Sequence, residues 1–145
     1  MVATREKKVG RFKVKLDLAN FGDITAVERG YLEANKIRRV KVDGVVDSGA
    51  AYLVLPTAVA RQLGLQAVKK VKVKYANNSV AWRDKVQGVH LELQGRDGVF
   101  MATLEPKRDT ALIGALVLEE LDFLIDAKKS KLYPRDPESV LAEIE

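Results

Sequence analysis

Val45-Val46-Asp47-Ser48-Gly49-Ala50-Ala51 decides how this chain is read. An apolar run leads straight into a carboxylate, a hydroxyl and a glycine. A carboxylate at the end of a buried strand is costly unless it is hydrogen-bonded or functional. Gly49 lets the backbone turn sharply and brings its N–H toward the Asp47 carboxylate. Ser48 adds a hydroxyl able to bond nearby main chain. On its own the tripeptide also fits a strand end followed by an Asx-type turn.

Strand patterns surround this stretch. Arg11 to Leu18 alternates, with Phe12, Val14, Leu16 and Leu18 against Arg11, Lys13, Lys15 and Asp17. Ile24 to Leu32 and Ile37 to Val46 are the next strand candidates, with Glu33-Ala34-Asn35-Lys36 as a turn between them. Asp43-Gly44 reads as a turn or bulge in the second of these. Downstream, Val68–Tyr75 and Val80–Leu93 are parted by Ala76-Asn77-Asn78-Ser79. Asparagine tolerates positive φ, so this pair of strands reads as a hairpin. Gly95-Arg96-Asp97-Gly98 closes another and leads into Val99–Leu104.

Two short helices interrupt the pattern. Pro56 to Leu63 has proline at its first position and Gly64 as its left-handed stop. Ala115 to Leu121 directs Leu116, Leu118 and Leu121 inward. Leu121–Ile125 and Lys131–Tyr133 read as closing strands. The expected architecture is all-β, a small closed barrel with two short helices. The 145 residues make one domain, with a core at about 10–134; the first 8 or so residues and the tail after Pro134 read as loosely held.

Composition removes several chemistries. The chain has no cysteine, so disulfides, thiolate metal sites and thiol nucleophiles are excluded. Its one histidine, His90, excludes a multi-histidine metal site within the chain, and its place in a strand run suits a surface or edge residue. No metal and no cofactor are expected. No run approaches the roughly 20 apolar residues of a membrane span, and the N-terminus lacks a secretory pattern. A soluble cytoplasmic protein is expected, without membrane contact. The net charge is +5, with 8 basic and 3 acidic residues in 51–100 against 6 and 10 in 101–145. Lys69 to Lys74, with valines between lysines, reads as a strand with one solvated face. A nucleic-acid surface would need interleaved aromatics, and only Tyr75 is near.

The order of these motifs is more specific than any one of them. Asp47-Ser48-Gly49-Ala50 is followed by a hairpin at 74–82, then by Leu112-Ile113-Gly114 and a helix. This set resembles the retropepsin-like aspartic proteases over about residues 10–134. The resemblance implies an aspartic endopeptidase acting on peptide or protein substrates. Its active site needs two Asp-Thr/Ser-Gly loops. This chain has one, so the resemblance implies a symmetric homodimer with Asp47 of each subunit at the two-fold axis. It further implies that Ser48 bonds across the axis, that Gly49 donates to the aspartate, and that Ala50 is the small residue that follows. Leu112, Ile113 and Gly114 would lie beside the loop. Tyr75, Ala76, Asn77, Asn78 and Ser79 would form the flap tip over the substrate, although such flaps are usually richer in glycine. Apolar side chains beside the cut are expected from the family and from Val46, Ala50, Leu53 and Ile113.

Three other readings stay open. Tyr75 and Trp82 either pack within the hairpin or wall a substrate pocket. Asp122 and Asp126 read as a helix end and a turn start, not as a catalytic pair. The alternative function is a catalytically silent dimer of the same fold that binds peptides or scaffolds other domains.

Overall fold

Phe12, Val14, Leu16 and Leu18 share one face of an unbroken ten-residue strand, and the burial of Leu16 and Leu18 shows where the core lies. The structure is a computed structural model and describes residues 11–138 together with 140, 142 and 144. Its elements run β1 (Arg11–Asn20), α1 (Phe21–Glu28), a 3-10 turn (Ala34–Lys36), β2 (Arg39–Asp47), β3 (Leu53–Pro56), α2 (Thr57–Leu63), β4 (Ala67–Lys74), β5 (Val80–Leu93), β6 (Arg96–Glu105), β7 (Ala111–Ile113), α3 (Ala115–Leu121), β8 (Phe123–Asp126) and β9 (Lys131–Pro134).

The main sheet has the order β1-β2-β7-β3-β6-β5-β4. Asp17–Asn20 of β1 also pairs with Val89–Glu92 of β5, which closes six strands into a barrel and leaves β4 outside the ring. Most pairs are antiparallel, but β2–β7 and β3–β6 are parallel. β5 serves two structures. Its first half pairs with β4 and its second half with β1. The register against β6 shifts between Val86 and Val89, where Gly88 has φ +74°. A bulge of this kind bends a strand, here from the hairpin into the barrel. Leu18, Val46, Leu55, Val89, Leu91 and Ile113 fill the interior, all 0–1% exposed. Each such side chain contributes roughly 1.5–3 kcal/mol by leaving water.

Several local expectations are corrected. Ile24–Leu32 is not a strand, because residues 21–28 form a helix. That helix is the third, where two were expected. Its β-branched residues are overridden by its ends. Asn20 caps it, with Oδ1 accepting from Asp23 N at 2.9 Å, and Gly30 leaves it at φ +82°. The buried Asn20 amide also donates to Leu63 O at 2.8 Å, which ties α1 to the end of α2. Gly44 is no bulge. It sits in regular register opposite Val14, where a Cβ would fall 2.9 Å from both Leu16 Cδ1 and Ile113 Cδ1. Leu116 faces solvent and Val117 takes its place inside, since 117, 118 and 121 share a helical face and 116 does not. Pro56 caps α2 from just outside it. The expected loose N-terminus lies outside the described residues. Just after Pro134 the chain is held, because Arg135 N donates to Asp122 O at 3.0 Å and Arg135 Nε to Asp122 Oδ1 at 2.6 Å.

Candidate active site

Asp47 is the last residue of β2. The strand is gripped on both edges there, by β1 through the pair Arg11–Asp47 and by β7 through Val46–Ile113. The chain then turns, with Ala50 N donating to Asp47 O at 3.1 Å. Gly49 N donates to Asp47 Oδ1 at 2.9 Å. Arg11 donates to the other oxygen, Oδ2, through Nε at 2.9 Å and Nη2 at 2.5 Å. These bonds offset the cost of holding a carboxylate at only 14% exposure. Ser48 is exposed, and its hydroxyl has no hydrogen bond among the described residues.

The loop after Asp47 is held from behind by α3. Ala115 N donates to Ala50 O at 2.8 Å and Leu116 N to Ala51 O at 3.0 Å. Loop carbonyls thus satisfy two N–H groups that a helix start leaves unpaired. Gly114 permits this approach, for any Cβ there would collide with the Ala51 and Tyr52 backbone. Ile113 is fully buried between Val46 and Leu53, and Leu112 is half-buried beside it.

The β4–β5 hairpin projects beyond the barrel. Its tip closes through Tyr75 N to Ser79 O at 2.9 Å and Asn78 N to Tyr75 O at 2.8 Å. Asn78 takes φ +69°, the left-handed conformation a glycine would otherwise supply. Asn77 Oδ1 accepts from both Ser79 N and Ser79 Oγ, and Ala76 is exposed. The half-buried Tyr75 hydroxyl donates to Glu105 Oε2 and accepts from Arg83 Nε at 3.0 Å. The bond to Glu105 raises the phenol pKa above its ordinary value, and desolvation adds to the rise. The Arg83 guanidinium also lies 5.9 Å from the Tyr75 ring centroid. Tyr75 thus latches the hairpin to the end of β6, whereas Trp82 is 60% exposed.

The apolar surroundings differ from the sequence expectation. Val46, Leu53 and Ile113 are sealed in the core and cannot line a substrate path. Next to the loop the exposed apolar side chains are Tyr52, Met101 and Leu116. They border a groove of about 170 Å³ with Phe100 and Lys85, whose Nζ lies 5.6 Å from the Tyr52 ring centroid. Sequence reasoning missed Tyr52 and Arg11. Tyr52 was legible as a large aromatic set between Ala51 and Leu53. Arg11 became visible only with the strand register.

The family model described as "gag-polyprotein putative aspartyl protease" matches residues 34–120, more than half of the chain. The chain belongs to this family. The match spans Asp47-Ser48-Gly49, the hairpin and Leu112-Ile113-Gly114. Among solved structures the chain is similar to the solution structure of the simian foamy virus (mac) protease. The two are 15% identical with a TM-score of 0.48, over 74% of this chain and 91% of that one. No curated protein matches the chain.

Asp122 and Asp126 lie away from Asp47 in other contacts. Asp122 ends α3 in the left-handed conformation and bonds Arg135, and Asp126 Oδ1 accepts from Lys129 N in a turn. His90 Nε2 pairs with Asp97 Oδ2 at 2.8 Å. No group of three or more His, Asp or Glu is placed to hold a metal ion among the described residues. No helix among them is long and apolar enough to cross a membrane.

Proposed function

We propose that the protein is an aspartic endopeptidase that works as a symmetric homodimer, with the two copies of Asp47 forming one catalytic dyad. The observation that carries the reading is the Asp47 carboxylate, fixed by Gly49 N–H at a strand end in a chain of this family. A lone carboxylate supplies a base but no acid. Two carboxylates brought together cannot both be charged cheaply, so the pair holds one proton; aspartic proteases are the standing example of that principle. The ionised member takes a proton from water as the water attacks the peptide carbonyl. The protonated member gives its proton to the developing oxyanion. Proton transfer back through the pair then releases the amine.

The remaining residues take supporting roles in this reading. Ser48, exposed beside Asp47, bonds the partner's loop across the axis. Ala50, Leu112, Ile113 and Gly114 support the loop. The tip at Tyr75, Ala76, Asn77, Asn78 and Ser79 covers an extended peptide, which pairs with it as an added strand. Tyr52, Met101 and Leu116 supply apolar surface for substrate side chains. β8 and β9 add a face for the second copy. Leu124 and Tyr133 sit opposite each other in register there, and both are exposed.

The test is digestion of a peptide library at pH 4–7, with and without a statine-type transition-state mimic. Cleavage blocked by the mimic and abolished by Asp47→Asn, in a variant that still dimerises, supports the proposal. Retained turnover in that variant, or a strictly monomeric active protein, overturns it. Binding of the mimic without any turnover identifies the silent peptide-binding module instead.

A further inference from the structure

The Arg11 guanidinium sits on the carboxylate that the proposed chemistry needs. Two of its nitrogens, Nε and Nη2, donate to Oδ2 of Asp47, while Oδ1 accepts from Gly49 N–H. The contact follows from the fold, because Arg11 and Asp47 are direct register partners on β1 and β2. The arginine stem is 43% exposed and the carboxylate 14%, so the pair is only partly screened by water. Around it, β3, β7 and residues 114–118 carry no titratable side chain. Lys13 lies two residues along β1 on the same face as Arg11, Asp43 is paired with Lys15 at 2.9 Å, and Tyr52 follows in the loop.

We propose that Arg11 is a positioning residue that ion-pairs with Oδ2 of Asp47 and thereby sets the pH range in which the dyad keeps its shared proton. The inference rests on the Asp47 dyad argued above. A fixed cation beside a carboxylate favours the ionised form. In a two-fold dimer a guanidinium would flank each carboxylate, and both ionisations would move to lower pH. The form with one acid and one base would then be lost at a more acidic pH than without Arg11. Arg11 also fixes which oxygen of Asp47 is engaged within its own chain and which way the carboxylate plane faces.

The experiment compares pH profiles of kcat/KM for the wild-type protein, Arg11→Gln and Arg11→Lys on one peptide substrate. The alkaline limb is expected to move up by about one pH unit in Arg11→Gln and to stay in place in Arg11→Lys, which keeps the charge. Coincident limbs for wild type and Arg11→Gln overturn the proposal. Carboxyl carbon NMR titration of Asp47 in the same three proteins reads the effect without turnover. An Asp47 titration unmoved by Arg11→Gln overturns the proposal, and an upward move in Arg11→Gln alone supports it. Arg11→Met, which keeps most of the stem, replaces the glutamine variant if that one misfolds. If the wild type shows no Asp47-dependent cleavage, the proposed activity fails, while the titration still decides the role of Arg11.

Discussion

Gly114 stands so close to the loop after Asp47 that a Cβ on it would lie 2.4 Å from the Ala51 carbonyl carbon and 2.6 Å from Tyr52 N. No flexible side chain is available there to move aside. Gly114→Ala must push the start of α3 away from the loop and stretch the bonds from Ala115 N and Leu116 N. The expected cost is about 3 kcal/mol, the upper part of the overpacking range, read from urea unfolding. Asp47-dependent cleavage should fall with it. A variant as stable as wild type would show that the loop and the helix move independently.

Tyr75 connects the hairpin tip to Glu105 and Arg83. Tyr75→Phe keeps the ring and removes the hydroxyl, leaving Glu105 with Arg83 at 3.3 Å. Amide exchange across residues 75–79 should speed up, by a factor of about five to ten for a bond contributing about 1 kcal/mol. Unchanged protection would mean that the turn's own hydrogen bonds suffice to hold the tip.

Leu124 and Tyr133 offer apolar surface on a two-stranded hairpin, and such a hairpin is marginal alone. In the proposed homodimer, placing glutamate at both positions should weaken self-association at least about tenfold, or ~1.4 kcal/mol. Both side chains already face solvent, so the barrel should remain folded. Sedimentation velocity over a dilution series checks this, and an unchanged dissociation constant places the dimer contact elsewhere.

Asp23 gives a pH signature separate from the active site. Side-chain hydrogen bonds from Arg38, aided by a bond from Arg38 N, hold its carboxyl below the ordinary value of 3.8 against the opposing effect of burial. A group held lower in the fold than in the unfolded chain stabilises the fold at neutral pH. That contribution declines as pH falls below 3.8 toward the folded value. Asp23→Asn should cost up to about 1 kcal/mol at pH 7, and its difference from wild type should shrink as pH falls below 3.8 and the carboxyl is protonated in both states. A constant difference across the acid range would remove the ion pair as the cause.

The barrel was legible because alternation survives wherever one strand face is wet, as at Phe12 to Leu18 and in Val80–Leu93. Gly64 and the Asn77-Asn78 pair marked their turns through backbone conformations that few residues accept. α1 was hidden because Ile24, Thr25 and Val27 favour strands locally. The Asn20 amide that caps it also bonds the Leu63 carbonyl, a contact that spans 43 residues. At the site, Asp47, Gly49 and Gly114 announce themselves by residue type. The Arg11 contact does not, since it exists only once 36 residues of chain fold back into register.

Among the described residues β4 is bonded along one edge only, to β5, and it carries Lys69, Lys70, Lys72 and Lys74. A bare strand edge invites an identical strand to stack against it. Here such stacking would crowd two rows of ammonium groups together in a protein already at +5. The exposed margin therefore carries its own colloidal protection, which added salt weakens by screening the lysines.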